Sequence, residues 1–325
     1  MASKLRQSAV WPVAAGVLLT WATACLAGAT GRSENIDVAL LSERVSVQPG
    51  QPFRVGLHMK MKRGWHTYWK HPGDAGLPLR IDWTLPPGFK AGAIEWPAPE
   101  PIPTGELMSY GYGHEVLLAV TITPPARVTA DLVTIAGAFD WLECKEACLA
   151  GSAQLDVTLP VRSEPPRPGP SAPLFDRARA RLPRSPEGWS LAATAGPRAI
   201  ELRFRPPSGV RPNGGTFFVD EPLVVEYAAP QGFKRSSGWY RLTLVPAANA
   251  ANPPRRLTGV LVLDGLDRRK GSTIVVNVEA LSGDPTPAPA QSPRRNWPRV
   301  PLYATLVALI GIVVVVALRR RAAGR

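Results

Sequence analysis

Two cysteines near the middle of the chain carry the most distinctive chemistry in the sequence. Cys144 and Cys148 lie in the stretch WLECKEAC at 141–148 and are separated by three residues. Two thiols at this separation can exchange disulfides with another protein, form a fixed disulfide, or bind a soft metal ion. The third cysteine, Cys25, lies in an N-terminal segment that we expect to be removed. The chemistry therefore depends on how the chain brings Cys144 and Cys148 together.

The spacing of the pair favours a tight hairpin. On one continuous strand, sulfurs four residues apart would be separated by about 13 Å, which is too far for a bond. Apolar residues precede Cys144 and a second strand pattern follows Cys148. A hairpin turn between them would place the two cysteines opposite each other. A helical turn would also bring them near each other, with poorer geometry.

The small ring favours redox exchange over a purely structural bond, although both interpretations stay open. Closing a loop of this size stabilises a fold by about 2 kcal/mol, less than the longer loops that structural disulfides usually close. A small and strained ring is also easier to reduce. Lys145 favours a thiolate on its neighbour Cys144, whereas Glu143 and Glu146 oppose it.

Metal binding is a third interpretation of the same cysteines. Two thiolates with one or two imidazoles suit Cu(I) or zinc. The histidines that share the strand-rich block with the cysteines are His58, His66, His71 and His114. Since no histidine stands at a short ligand spacing from either cysteine, we assign no metal ligand. The sequence indicates no cofactor.

The elements around the cysteines predict an all-β fold with two immunoglobulin-like antiparallel β-sandwich domains. Short apolar alternations broken by proline and glycine turns fill residues 30–160 and 187–282. About seven strands in roughly 120 residues are typical of a sandwich. The strands that we predict are 44–47, 53–59, 79–83, 116–122, 133–139 and 155–159 in the first domain, and 199–204, 216–219, 223–227, 239–244, 259–263 and 273–278 in the second.

Segments rich in proline separate the predicted elements. Residues 161–186 read as a Pro/Arg-rich linker whose centre, 175–182, is predicted to form one or two helical turns at most. Residues 283–300 read as a Pro/Ala-rich spacer. So many prolines argue against long soluble helices, because each proline inside a helix removes a hydrogen bond. Helical bundles, coiled coils and helical solenoids are therefore excluded.

The two ends of the chain read as membrane signals. Residues 1–29 have the basic, apolar and small-residue regions of a secretory signal peptide, ending in Ala27-Gly-Ala. Acylation at Cys25 and an uncleaved anchor are the alternatives. The apolar run at 301–318 is long enough for one transmembrane helix, and 319–325 would form a basic cytoplasmic tail. We expect an inner-membrane protein of a bacterium with its β domains in the periplasm.

The net charge of +13 does not come from a nucleic-acid-binding face on a folded domain. Seven arginines and no acidic residue lie in 288–325, six arginines lie in 161–184, and Lys4 and Arg6 lie in 1–29. The remaining residues, 30–160 and 185–287, are together neutral. The excess of basic residues therefore belongs to the two chain ends and the linker, where it indicates membrane topology. We predict no nucleic-acid partner.

Several motifs resemble one known family. They are GWHTYWKHPGDAGLP at 64–78, IDW at 81–83, IEWPAP at 94–99, YGY at 110–112 and WLECKEAC at 141–148. Over residues 35–160 they resemble, in order, the N-terminal periplasmic domain of the DsbD/ScsB thiol–disulfide reductases. The stretch LTGVLVL at 257–263 resembles, more weakly, the region that follows in the ScsB branch.

The resemblance implies an immunoglobulin-like domain in which Cys144 and Cys148 pass electrons to periplasmic disulfide-bearing proteins. It also implies a cap loop over the pair, which matches residues 106–111 here. The candidate shields are Met108 and Tyr110 in that segment, and Trp65, Tyr68 and Trp141 around it. Each of these aromatic residues has an ordinary core role as its alternative. The resemblance connects the chain with cytochrome c maturation and copper tolerance.

The chain departs from full-length members of that family. Those members continue into a multi-span membrane domain with cysteines and then a thioredoxin-like domain, whereas the single apolar run here has no cysteine. We expect a separate multi-span membrane thiol reductase to supply electrons. The prediction is a component of a protein-disulfide reductase. The alternative is a noncatalytic anchored interaction or copper-handling module, and the residues do not show which cysteine attacks first.

Overall fold

The computed structural model describes residues 30–248, 254–264 and 274–281. All of these residues belong to one compact unit. The described part is all-β with antiparallel sheets and one short helix, as the sequence predicts. The predicted signal peptide at 1–29 and the predicted span at 301–318 lie outside the described residues. Within the described residues, no helix is long and apolar enough to cross a membrane.

A five-stranded sheet forms one side of the first block. In spatial order it contains β1 (Thr30–Arg32), β2 (Ile36–Ser42), β3 (Phe53–Met61), β9 (Glu115–Thr123) and β6 (Lys90–Glu95). Strand β3 is buried along almost its whole length because it lies between β2 and β9 and has side chains packed on both faces. This burial explains its apolar composition.

A three-stranded sheet carries the cysteines. It contains β11 (Cys148–Pro160), β10 (Leu132–Cys144) and β5 (Arg80–Thr84), in that order. Side chains along β10 alternate between buried and more exposed positions, with Ile135 and Phe139 fully buried. They join the same hydrophobic core as Leu57 of β3. The alternation with period two therefore holds this long hairpin against the five-stranded sheet.

A second three-stranded sheet lies next to the end of that hairpin. It contains β4 (Thr67–Gly73), β8 (Leu107–Tyr112) and β7 (Glu100–Thr104), in that order. The segment 106–111, expected to be a cap loop, is largely strand β8. Its backbone pairs with both neighbours, so the segment is held by ladder hydrogen bonds.

The segment predicted as a linker packs on the first block. Helix α1 (Ala172–Ala180) begins after Ser171, has Pro173 in its first turn, and carries Arg177 and Arg179 in its last turn. Phe175 on this helix is fully buried and packs with Leu117 of β9. A short helix is therefore present near the expected 175–182, but it begins earlier in the chain and its nine residues make about two and a half turns.

The second block contains two further antiparallel sheets. One has the order β12 (Ser190–Ala195), β13 (Ile200–Arg205), β16 (Trp239–Leu244) and β15 (Gly232–Ser236). The other has the order β14 (Gly214–Val219), β17 (Arg256–Asp264) and β18 (Ile274–Leu281). Buried residues of both sheets belong to one hydrophobic core that continues from the first block.

Two predicted strands are wrong. Residues 44–47 make only isolated bridges, from Arg44 to Pro168 and from Val47 to Val161, because they lie against the predicted linker. Residues 223–227 form turns with a single bridge from Val225 to Pro246, and Leu223 has a φ of 59°. A strand requires a negative φ, so the alternation at 223–227 reflects buried turn residues instead. The other predicted strands coincide with observed ones.

Candidate functional site

The two cysteines close the end of the β10–β11 hairpin. Cys144 and Cys148 are opposite each other in the register, with residues 145–147 as the connection. Their sulfurs are bonded at 2.05 Å and their Cα atoms are 4.2 Å apart. The Lys145 N–H donates to the Ala147 carbonyl oxygen at 3.2 Å and tightens the turn. The predicted hairpin geometry is therefore confirmed, and the pair forms a disulfide.

The two sulfur-bearing residues differ in their access to solvent. Cys144 is 3% exposed, whereas Cys148 lies in an exposed stretch at the start of β11. The backbone of Cys144 is held by His66, since each residue donates its N–H to the carbonyl of the other, at 2.9 and 3.0 Å. Exchange requires access of the attacking sulfur to a partner. The geometry therefore favours Cys148 as the sulfur that meets another protein.

Tyr68 on β4 contacts the exposed cysteine. Its hydroxyl lies 3.4 Å from the Cys148 sulfur, and its side chain is 2% exposed. Burial raises the pKa of the Tyr68 hydroxyl. The hydroxyl therefore keeps its proton at neutral pH and can donate a hydrogen bond to a Cys148 thiolate when the disulfide is reduced. A Cβ atom added at Gly76 would lie 2.3 Å from the Tyr68 ring, so the loop that follows β4 packs closely on this ring.

Glu143 is a buried carboxylate beside the pair. It is 2% exposed and accepts hydrogen bonds from the Asn35 amide at 3.0 Å, from the Ser33 hydroxyl, and from the Trp141 ring N–H at 3.5 Å. These partners tie the end of β10 to the turn before β2. From the sequence alone, Glu143 is only a negative charge next to Cys144. Its structural anchoring was missed, because no local signal indicates that residues 33–35 approach it.

The five candidate shields occupy different environments. Tyr68 makes the contact with sulfur described above, and Trp141 is buried and bonds to Glu143. Trp65 is partly buried and packs on the core. The Met108 N–H donates to the Asp74 carboxylate at 2.8 Å, which fastens β8 to the loop after β4. Tyr110 is 1% exposed, and its ring packs against the second block.

The histidines are dispersed through the first block. The imidazole of His58 lies 2.6 Å from the Glu115 carboxylate. This contact is the largest cause of a lowered Glu115 pKa. His66 is buried and His114 is exposed. Among the residues that the structure describes, no group of three or more His, Cys, Asp or Glu side chains is arranged to hold a metal ion.

Burial of two histidines predicts a loss of stability in acid. Desolvation by burial lowers the pKa of both His66 and His71. The unfolded chain takes up their protons below about pH 6.5, whereas the folded protein takes them up only at lower pH. The stability contributed by the neutral imidazoles is present above about pH 6.5 and is lost as the pH falls below it. The slope is at most about 1.4 kcal/mol per pH unit for each histidine.

Denaturant unfolding at several values between pH 8 and 5 measures this effect. We expect His66→Gln to flatten the dependence of the free energy of unfolding on pH. His114→Gln replaces an exposed histidine and is the matched control. An unchanged slope in His66→Gln would show that the acid sensitivity arises elsewhere.

The fold and the site together define a β domain that presents a disulfide at the tip of a hairpin, with one cysteine exposed and the other buried. Residues 38–160 match the family described as "Thiol:disulfide interchange protein DsbD, N-terminal". This part of the chain is therefore an N-terminal domain of the DsbD type, as the sequence motifs indicated. Its family is one of thiol–disulfide exchange proteins.

Solved structures extend the comparison beyond this domain. The N-terminal periplasmic domain of ScsB from Proteus mirabilis is 18% identical, with a TM-score of 0.59, and the match covers 79% of this chain and 98% of that one. The likeness therefore includes part of the second block, and at this identity it concerns the fold. A protein of unknown function from Porphyromonas gingivalis W83 is 12% identical with a TM-score of 0.23, covering 76% of this chain and 99% of that one. The search of curated proteins found no match.

Proposed function

We propose that this protein is a membrane-anchored periplasmic module for thiol–disulfide exchange, with Cys144 and Cys148 as the reacting residues. The observation that carries the proposal is the disulfide between a buried Cys144 and an exposed Cys148 whose sulfur lies 3.4 Å from the Tyr68 hydroxyl. A disulfide that only stabilises the fold does not require an exposed cysteine with a hydrogen-bond donor beside its sulfur. The membership of residues 38–160 in the DsbD-type family supports the same chemistry.

The exchange begins with the reduced form of the protein. The Cys148 thiolate attacks one sulfur of a partner's disulfide, so that a mixed disulfide forms and the partner's other sulfur leaves as a thiolate. The Cys144 thiolate then attacks the Cys148 sulfur, which breaks the mixed disulfide and releases the partner's second thiolate. The partner has gained two electrons, and the Cys144–Cys148 disulfide has formed again.

Two groups of this chain assist the reaction. The Tyr68 hydroxyl donates to the Cys148 thiolate and favours the charged form that attacks. Burial of Cys144 keeps the second sulfur away from outside disulfides until Cys148 has reacted. Strand β8 pairs with β4, which carries Tyr68, so it supports the strand from which the hydroxyl reaches the Cys148 sulfur.

The setting of the reaction is part of the same proposal. The signal peptide at 1–29, the span at 301–318 and the cytoplasmic tail at 319–325 would hold two immunoglobulin-like domains, at 30–160 and 187–282, on the periplasmic face of the inner membrane. Electrons would come from a multi-span membrane thiol reductase acting in trans. The acceptors would be periplasmic disulfide-bearing proteins, with cytochrome c maturation and copper tolerance as the processes to examine first.

The reduction potential of the Cys144–Cys148 pair in the full chain tests this function. We expect a value above about −300 mV and reduction by a thioredoxin-type donor, as for exchangeable disulfides. Metal content is measured on the same sample. A potential below about −300 mV with resistance to that donor would favour a structural staple. Stoichiometric copper or zinc that is lost in Cys148→Ser would favour the copper-handling alternative.

A further inference from the structure

The second block contacts the sheet whose strand β4 places Tyr68 beside the disulfide. Tyr110 on β8 packs its ring between Phe218, at a centroid distance of 4.8 Å, and Tyr227, at 5.4 Å. The planes are inclined by 80° and 89°, so both contacts are edge-to-face, the arrangement that aromatic pairs prefer. Tyr110 and Phe218 are each 1% exposed. The ring of Tyr110 is therefore enclosed by the second block.

Strand β4, the neighbour of β8, contacts the same surface. The Trp69 ring lies 6.3 Å from the Phe218 ring, and the His71 ring lies 6.2 Å from Tyr227. The Lys70 ammonium pairs with the Asp220 carboxylate at 2.6 Å. Two adjacent strands are thus held by packing and by an ion pair. We call Phe218, Asp220 and Tyr227 the clamp.

Residues that contact the clamp are adjacent in the strands to residues that lie near the disulfide. Tyr68, the residue before Trp69, contacts the Cys148 sulfur and pairs in the β4–β8 register with Gly111, the residue after Tyr110. Successive strand residues point to opposite faces. Trp69 and Tyr110 therefore meet Phe218 on one face of the β4–β8 pair, whereas Tyr68 lies on the other face, beside the disulfide.

The clamp itself is built into the second block. Phe218 lies on β14, which pairs with β17, and the Leu223 N–H donates to the Tyr227 hydroxyl at 3.2 Å. Leu223 adopts the left-handed φ of 59° in the turn that leads to Tyr227. The turn at 223–227, which the sequence suggested was a strand, therefore serves to present Tyr227 to Tyr110.

We propose that Phe218 and Tyr227 are positioning residues that hold strands β4 and β8 in place, and with them the Tyr68 hydroxyl beside the Cys148 sulfur. The second block would thereby set how readily the Cys148 sulfur is reached by a reductant or a partner. The effect on the rate of exchange with a partner rests on the proposed exchange function. The support that the second block gives to strands β4 and β8 does not rest on it. A partner that opens the site has to separate Tyr110 from the clamp or to bend β8 away from it.

Phe218→Ala in the full chain removes the main contact, and Phe204→Ala is the matched control. Phe204 is also a fully buried phenylalanine of the second block, but it stacks on Tyr240 at 5.4 Å, within the β12–β15 sheet. Hydrogen exchange of the backbone amides at 107–112 and the rate of disulfide reduction by dithiothreitol at pH 7 are measured for both. We expect Phe218→Ala to increase the exchange about tenfold and the reduction rate about fivefold. Phe204→Ala should change each by less than about twofold.

Equal effects in the two variants, or no effect in Phe218→Ala, would overturn the proposal. Lys70→Ala keeps it testable if Phe218→Ala does not fold, because the Lys70–Asp220 pair is partly exposed. We expect Lys70→Ala to speed both processes about twofold, with Arg80→Ala, at the exposed Arg80–Asp82 pair, as its control. No difference between Lys70→Ala and Arg80→Ala would also contradict the clamp.

The two readouts separate the clamp from the exchange function. Faster hydrogen exchange at 107–112, together with a disulfide that no thioredoxin-type donor reduces, would support the clamp and contradict the function in disulfide exchange. A disulfide that such a donor reduces readily, with hydrogen exchange at 107–112 unchanged in Phe218→Ala, would contradict the clamp but not the function in disulfide exchange. Loosened strands with an unchanged dithiothreitol rate would show that the contact has only a structural role and would overturn its control of access.

Discussion

Cys148→Ser is expected to abolish disulfide exchange, whereas Cys144→Ser should leave a protein that forms stable mixed disulfides. The physical reason is the difference in burial, since Cys144 is 3% exposed and Cys148 is exposed. The single thiol of Cys144→Ser meets a disulfide reagent directly, but the mixed disulfide has no second thiol to resolve it. The single thiol of Cys148→Ser reacts only when the hairpin opens locally. We expect its reaction to be slower by roughly 100-fold.

The reaction of each reduced variant with 5,5′-dithiobis(2-nitrobenzoate), followed by the release of the coloured thiolate, measures these rates on the full chain. Ala147→Ser, which keeps both cysteines and changes the same turn, is the matched control and should react like the unaltered protein. Similar rates in Cys144→Ser and Cys148→Ser would contradict the assignment of Cys148 as the attacking sulfur. A faster reaction in Cys148→Ser would reverse it.

Gly111→Ala should destabilise the protein and disturb the site at the same time. A Cβ atom at this position would lie 2.1 Å from the Thr67 carbonyl oxygen, which belongs to the backbone and cannot rotate away. Strands β4 and β8 would have to separate where Tyr68 pairs with Gly111. We expect a loss of about 3 kcal/mol in the free energy of unfolding, the upper end of the usual cost of overpacking. The melting temperature should fall by about 6–12 °C.

Denaturant unfolding and thermal melting, monitored by tryptophan fluorescence, measure this loss. Gly92→Ala is the matched control, because it makes the same change in strand β6 and its Cβ would meet only ordinary contacts, at 3.4 Å or more. We expect Gly92→Ala to change the free energy of unfolding by less than about 1 kcal/mol. Equal losses in the two variants would show that the close approach of β4 to β8 has no particular cost.

The site was partly predictable because its chemistry is local. A three-residue gap between cysteines, with a strand pattern on each side, allows few geometries other than a hairpin, and the register confirms it. The motif YGY at 110–112 marked the right segment. Its glycine is required by the approach of Thr67, and that approach exists only when β4 and β8 pair. The sequence therefore located the motif without showing why it is needed.

Alternation of apolar residues predicts strands wrongly where long-range contacts replace regular strand pairing. Residues 223–227 alternate like a strand, yet Val225 and Tyr227 are buried within turns. The predicted linker at 161–186 carries Phe175, whose fully buried ring makes part of the segment a packed helix. Composition identifies a proline-rich segment, but only the neighbouring surface determines whether it packs.

The sequence by itself determined an antiparallel β protein, the hairpin that joins Cys144 to Cys148, and the resemblance of residues 35–160 to a thiol–disulfide exchange family. These features follow from period-two alternation, turn residues and short spacings, which are properties of neighbouring residues. Only the tertiary structure decided that Cys148 is the exposed cysteine, that Tyr68 donates toward its sulfur, and that Tyr110 meets Phe218. Those relations join residues far apart in the chain, so they depend on how the sheets pack.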